Sequence, residues 1–269
     1  MDGPSSRRRR PPSSQGTPLP QGNVTSGIVR VGDTVRRPAG PWTPAVHALL
    51  RHLHAVGFSG APQPHGIDER GREVLSFAPG VVAWPDHFEL LADDRALARA
   101  GRLVRDLHDA AAGFTPPPDA QWQVGIPAPD GDLIVHNDVA PWNLVIGDEG
   151  WVLIDWDGAA PGSRLWDLAY AMHGFAPLSA AAGPESVAVQ AHRLRVLAGA
   201  YGLDEAGRRA LLPLLARRAM SMHQFLAEGA ASGVEPWARL WADVHGKSWR
   251  ADAEHIERHR VDWERALLD

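Results

Sequence analysis

Residues able to do chemistry concentrate between Leu133 and Asp157, in the stretch LIVHNDVAPWNLVIGDEGWVLIDWD. Leu133-Ile134-Val135 is a β-prone run, and His136 to Trp142 is irregular, with Pro141 blocking any continuation. Leu144 to Ile146 and Trp151 to Ile154 are two further apolar runs around Gly147-Asp148-Glu149-Gly150, a turn composition. Closing that hairpin pairs Ile146 with Trp151 and, counting back, Asn143 with Ile154. Asn143 and Asp155 then meet at the open end, with Asp138 on the preceding loop beside them. Two carboxylates and an amide oxygen converging there suit a hard divalent cation, which takes oxygen ligands. One of the carboxylates is then left free of the cation.

The spacing His136-x-Asp138-x-x-x-x-Asn143 is that of a kinase catalytic loop, and Asp155 falls where the metal-binding Asp of the next motif belongs. With Ile154-Asp155-Trp156-Asp157 one hairpin later, and Trp166-Asp167-Leu168-Ala169 downstream, the chain resembles the aminoglycoside phosphotransferase and choline kinase superfamily. The resemblance is strong from Leu133 to Ala169 and extends back to Gly22; beyond Pro177 it supplies only helices. It implies an α+β, two-lobed protein-kinase-like fold. A small β-rich N-terminal lobe would span residues 21–80, and a larger, mostly helical lobe residues 81–269. It also implies ATP or GTP as phosphoryl donor, one or two Mg²⁺ ions on Asn143 and Asp155, and Asp138 orienting the acceptor hydroxyl. Asp155 is followed by Gly158-Ala159-Ala160-Pro161-Gly162 and a helix by Trp166, which leaves no room for a long activation segment. A small-molecule hydroxyl acceptor is therefore expected rather than a protein. Asp157 is either a second metal contact or a structural acceptor. His136 and Asp167 are read as structural groups behind the loop.

The elements that must position these groups begin with the N-terminal lobe. Ile28 to Val31, a Gly32-Asp33 turn and Thr34 to Arg37 predict a hairpin, whose alternation puts Ile28, Val35 and Arg37 on one face. In a kinase lobe that face covers the adenine with small apolar groups and offers a cation to the phosphates. Val35 and Arg37 stand in the relation of Ala and Lys in V-A-I-K. The turn from Gly22 to Gly27 would then lie over the phosphates, with the Ser26 hydroxyl pointing inward. Glu73 to Phe77 reads as the lobe's last strand, its backbone reading the adenine edge near Phe77, and Ala78-Pro79-Gly80 as a linker. One departure stands out. The family clamps the phosphates with a lysine held by a helix glutamate, but this lobe has no lysine and the helix from Pro44 to Val56 has no Asp or Glu. Either Arg37 does the work with different geometry, or phosphate positioning is weak.

Composition sets the outer bounds. The chain has 269 residues, 44% hydrophobic and 22% charged, ordinary globular material able to bury a sizeable core. It has no cysteine, so disulfides and zinc–thiolate sites are excluded. With neither an apolar leader nor an 18-residue apolar run, no membrane attachment is expected and a cytoplasmic location fits best. A net charge of −5 argues against general nucleic-acid binding. Residues 1–20, with Arg7 to Arg10 among Pro and Ser, read as a solvated, disordered tail.

Helices are predicted at Asp93 to Ala111, Glu185 to Tyr201, Glu205 to Glu228 and Glu235 to Leu268. From residue 185 onward acidic and basic side chains are equal in number, so charge does not single out a cationic aminoglycoside. Trp237, Trp241, Trp249 and Trp263 read as packing residues, and His255 with His259 as a surface pair. A choline-type or other metabolite kinase on the same frame, and a non-catalytic nucleotide-binding module, are the alternative readings.

Overall fold

The computed structural model describes residues 16–20, 25–182, 186–243 and 245–269. The N-terminal lobe is a five-stranded antiparallel sheet of order β1-β2-β3-β5-β4, made of β1 (Thr17–Pro18), β2 (Val29–Val31), β3 (Thr34–Pro38), β4 (Pro64–Ile67) and β5 (Arg72–Ser76). Between β3 and β4 runs α1 (Thr43–Ala55), with Pro44 in its first turn, where a missing N–H costs nothing. The tail expectation is corrected at its end. Thr17 and Pro18 pair with Arg30 and Val29, and Leu19 N–H donates to Ile28 O at 3.1 Å. A strand edge leaves backbone groups to be paired, and this segment covers the edge of β2. Residues 1–15, including the arginine run, lie outside the described residues, as do residues 21–24, which include the start of the expected phosphate turn.

The hairpin register is Val29 with Arg36 and Arg30 with Val35, and β5 continues it with Leu75 opposite Val35 and Glu73 opposite Arg37. Directly opposed residues share a sheet face, so Ile28, Val35 and Arg37 lie on one face with Arg30, Leu75 and Glu73. The linker then passes straight into β6 (Val81–Val82), which pairs with β8 (Leu144–Gly147) of the hairpin β8–β9 (β9, Gly150–Leu153). Glycine makes that junction possible: a Cβ on Gly80, at φ 144°, would stand 2.3 Å from Ile146 O. The lobe connection is thereby pinned to the strand that Asn143 immediately precedes.

The second lobe stacks helices. α2 (Asp94–Ala111) starts where Asp93 accepts from Ala96 N–H at 2.7 Å, and packs on α4 (Ser186–Tyr201). Its apolar stripe of Leu97, Ala100, Val104 and Leu107 is fully buried. β7 (Leu133–Val135) pairs with β10 (Ala160–Gly162), and α3 (Arg164–Phe175) follows, capped by Ser163. α3 packs on α5 (Glu205–Ala231), which continues through Pro213. The single helix expected from Glu235 is instead three: α6 (Trp237–Ala242), α7 (His245–Arg258) and α8 (Arg260–Leu268). Pro236 cannot sit in a helix interior and delays the start. At the α7–α8 junction His259 leaves helical geometry, and its ring bonds Asp262 at 3.0 Å. Among the described residues no helix is long and apolar enough to cross a membrane.

Candidate active site

The loop between β7 and β8 is held from behind by buried groups. Asp167, fully buried at the start of α3, accepts from Asn137 N–H at 2.7 Å and from His108 Nε2 at 3.1 Å. His108 in turn contacts the Tyr201 hydroxyl at 2.8 Å through Nδ1. The His136 Nε2 lies 3.1 Å from Ile154 O, tying the loop to the strand that leads to Asp155. Asn137 takes the left-handed conformation, φ 65°, which costs energy and persists only where neighbours impose it. Here Asn137 Nδ2 donates to Gly158 O at 3.0 Å and its carbonyl accepts from Arg218 Nη2 on α5, also at 3.0 Å.

These contacts carry a stability prediction. Burial opposes charge on Asp167, but the His108 hydrogen bond and charge outweigh it and hold the carboxyl below its usual range. A depressed folded value stabilises above the unfolded pKa of about 3.9, and that stability is lost as pH falls through the folded value. Asp167→Asn should therefore destabilise by roughly 3 kcal/mol at neutral pH, the scale for breaking a buried ionic contact. Denaturant titrations should show the gap to wild type closing as the pH drops below about 4.

The front of the loop carries the three residues singled out by spacing. Asn143 Nδ2 donates to Asp138 Oδ2 at 2.7 Å and to Asp138 O at 2.9 Å. That pair of bonds fixes the amide orientation and leaves the Asn143 side-chain oxygen as its unpledged acceptor. The Asn143 carbonyl accepts from Ile154 N–H at 2.9 Å, so Asp155 follows immediately beside it. Asp155 is left-handed, φ 61°, and its carboxylate is 38% exposed. The Tyr170 and Trp142 side chains favour the charged form of Asp138. Burial first, then the Asp155 charge, push the Asp138 carboxyl up to about 7. Mutual repulsion of that kind is what a bound cation relieves. Hard oxygens on Asn143 and Asp155, one of them open to solvent, fit Mg²⁺.

Arg37 reaches this centre from the other lobe. Its Nη2 donates to Asp155 Oδ1 at 3.1 Å and to Asp157 Oδ2, and its Nε lies 3.5 Å from Glu73 Oε2. Arg37 is only 5% exposed. Burial works against its charge, yet Asp155, Asp157 and Glu73 more than offset that and raise its pKa. Asp157 is engaged on both oxygens, because Trp42 Nε1 donates to Oδ1 at 2.9 Å. Of the two roles left open for Asp157, this geometry favours the structural acceptor. Burial pushes Asp157 up to about 6, with Arg37 opposing.

The remaining expected nucleotide contacts divide. Ile28 and Val35 are half-buried on the face shared with Arg37. Ser26 is described and exposed. Phe77 needs a correction: its N–H donates to Asp33 O at 2.9 Å and so is not free for an adenine edge. The antiparallel ladder of β3 and β5 simply runs one residue further. The Phe77 ring lies under the Arg30 guanidinium, 3.8 Å from the centroid. His255 and His259 are engaged separately, by Gln190 Oε1 at 2.9 Å and by Asp262.

Glu73, His47, Trp42, Tyr170 and Arg218 carry contacts that sequence reasoning missed. Glu73 was readable: setting β5 against β3 puts an acid directly opposite Arg37. Arg218 and Tyr170 meet only through tertiary packing, the guanidinium 4.4 Å from the ring centroid, and left no local signal.

Comparison with known proteins fits this geometry. Residues 120–201, which span the loop, the hairpin, α3 and α4, match the phosphotransferase enzyme family. The trifolitoxin immunity protein of Rhizobium leguminosarum bv. trifolii is 33% identical over 258 residues, covering 91% of this chain and 97% of that protein. The chain belongs to the phosphotransferase enzyme family. As a family member it shares its fold with a choline/ethanolamine kinase family protein from Mesorhizobium loti, at TM-score 0.65 and 17% identity over 96% of this chain and 93% of that one. A microcompartment-associated aminopropanol kinase superposes on the phosphotransferase at TM-score 0.58 and 14% identity, covering 89% and 90% of the two chains. The amicoumacin kinase hAmiN, solved with AMP-PNP, Ca²⁺ and Ami, does so at 0.54 and 12% identity, covering 82% and 88%. This phosphotransferase thus has the two-lobed kinase-like fold its motifs implied.

Proposed function

We propose that this phosphotransferase moves the γ-phosphoryl group of ATP, or of GTP, to a hydroxyl of a small molecule. The observation that carries the reading is Asn143, whose side chain bonds the Asp138 carboxylate and whose backbone carbonyl accepts from Ile154 N–H, next to Asp155. One residue thereby sets the spacing between the carboxylate it bonds and an exposed one. Asp138 accepts a hydrogen bond from the acceptor hydroxyl and aims its oxygen at the γ-phosphorus. Asn143 Nδ2 fixes the carboxylate that does so. Asn143 and Asp155 hold one Mg²⁺, since Asp157 has both oxygens engaged. When bound, that ion would neutralise charge on the phosphate oxygens. Arg37 supplies a second positive group at the phosphates, while Ile28, Val35 and the Phe77 ring flank the base and Ser26 closes over the phosphates. Phosphoryl transfer needs little covalent work from a protein, so positioning and charge stabilisation suffice.

The name of the trifolitoxin immunity protein supports a setting in which the acceptor is a toxin or antibiotic bearing a hydroxyl. Kinase neighbours named for choline/ethanolamine and aminopropanol support amino alcohols as the competing acceptor class. Incubating the full chain with ATP-Mg²⁺ and a panel of aminoglycosides, amino alcohols and hydroxyl-bearing peptide antibiotics separates them by ADP release. Turnover with one class identifies the acceptor. A flat response to every acceptor, with no Mg²⁺-dependent thermal shift by ATP or GTP, would instead support a non-catalytic module.

A further inference from the structure

Arg37 replaces a lysine, and the helix that follows offers no acid to hold it; the structure supplies another restraint. Glu73 stands opposite Arg37 in the β3–β5 register, and its Oε2 is 3.5 Å from Arg37 Nε. Its other oxygen, Oε1, accepts from His47 Nε2 on α1 at 2.9 Å. All three residues are at most 5% exposed. At the start of the same helix, Trp42 holds Asp157, which pairs with the far side of the same guanidinium. The guanidinium is therefore gripped at both ends by groups tied to α1.

We propose that Glu73 and His47 act as positioning residues, forming a relay that transmits the seating of α1 to Arg37. Glu73 fixes the Nε side of the fork, His47 fixes Glu73 to the helix, and the Nη2 side is then presented to Asp155 and to nucleotide phosphates. The proposal rests on the phosphotransferase reading above and adds residues that the family motifs do not include. Arginine suits the arrangement because a planar fork spans carboxylates on two sides, which the point charge of lysine cannot do. The Arg37 Nε is buried and has no hydrogen-bond partner, and its contact with Glu73 is an ion pair rather than a bond. A buried pair with a purely structural role would stabilise the lobe and leave nucleotide affinity alone.

Calorimetric titration of the full chain with AMP-PNP and Mg²⁺, alongside unfolding midpoints, tests the relay. Glu73→Gln and His47→Leu should each weaken AMP-PNP binding on the order of tenfold, the scale of one hydrogen bond to a charged group. His47→Gln, whose amide can still donate to Glu73, should keep affinity within about twofold of wild type. Residues acting in series are non-additive, so the double variant Glu73→Gln/His47→Leu should bind no worse than Glu73→Gln. If Glu73→Gln fails to fold, the contrast between His47→Leu and His47→Gln carries the test. Wild-type affinity in both His47→Leu and Glu73→Gln, with lowered unfolding midpoints, would overturn the relay while leaving the kinase reading intact. Additive losses in the double variant would also overturn it. A wild-type chain that binds no AMP-PNP with Mg²⁺ would overturn the kinase reading itself, and the relay with it.

Discussion

Asp138→Ala lowers turnover by roughly 10²- to 10⁴-fold, the range for losing a group that handles the reacting proton, while nucleotide affinity changes little. The asymmetry follows from what Asp138 touches. Its carboxylate is bonded by Asn143, and the Arg37 guanidinium is directed to Asp155 and Asp157 instead. Removing it takes away the acceptor's partner and leaves the oxygens of Asn143 and Asp155 in place. The side chain that loses most is Asn143, whose Nδ2 keeps only the Asp138 carbonyl as partner. Steady-state kinetics with the acceptor found by screening, paired with AMP-PNP titration, measures both quantities. Equal, mild losses in the two would contradict the role given to Asp138.

Asp155→Ala shows the opposite pattern. Mg²⁺-dependent nucleotide binding should fall by at least about 100-fold, because even indirect partners of a metal ligand are worth 10- to 100-fold in affinity. Binding measured in excess chelator, already weak, should hardly change. Arg37 would lose one of its carboxylates but keep Asp157 and Glu73, so the lobe should stay folded. Titrating wild type and variant with ATP at several Mg²⁺ concentrations reads the effect directly. A variant that retained the Mg²⁺ dependence of wild type would remove Asp155 from the cation site.

Much of this centre was legible because it is local in sequence. Strand, loop and hairpin from Leu133 to Ile154 obey turn chemistry and period-two patterning, and the expected pairing of Ile146 with Trp151 is observed. That register alone brings Asn143 beside Asp155. The face carrying Ile28, Val35 and Arg37 was readable for the same reason: alternation in a tight hairpin fixes which side chains share a side. Legibility ended where partners come from distant segments. The pairing of Arg37 with Asp155 and Asp157 joins residues 118 and 120 positions apart, and no periodicity encodes it. His47 and Glu73, 26 positions apart, meet only once α1 packs on the sheet. At the C-terminus helical patterning was correct in type, but the breaks at Pro236 and His259 depend on a proline's missing donor and on a local side-chain bond. The β1 strand escaped notice because two residues are too few to show alternation.

The central claim is that Asp138, Asn143 and Asp155 together run phosphoryl transfer to an alcohol. Following the reaction of the full chain, ATP-Mg²⁺ and the responding acceptor by ³¹P NMR tests it most directly. The expected result is ADP accumulating in step with one new phosphomonoester resonance, both absent with Asp138→Ala. ADP appearing only with inorganic phosphate, or the phosphomonoester forming equally well in the Asp138 variant, would contradict it.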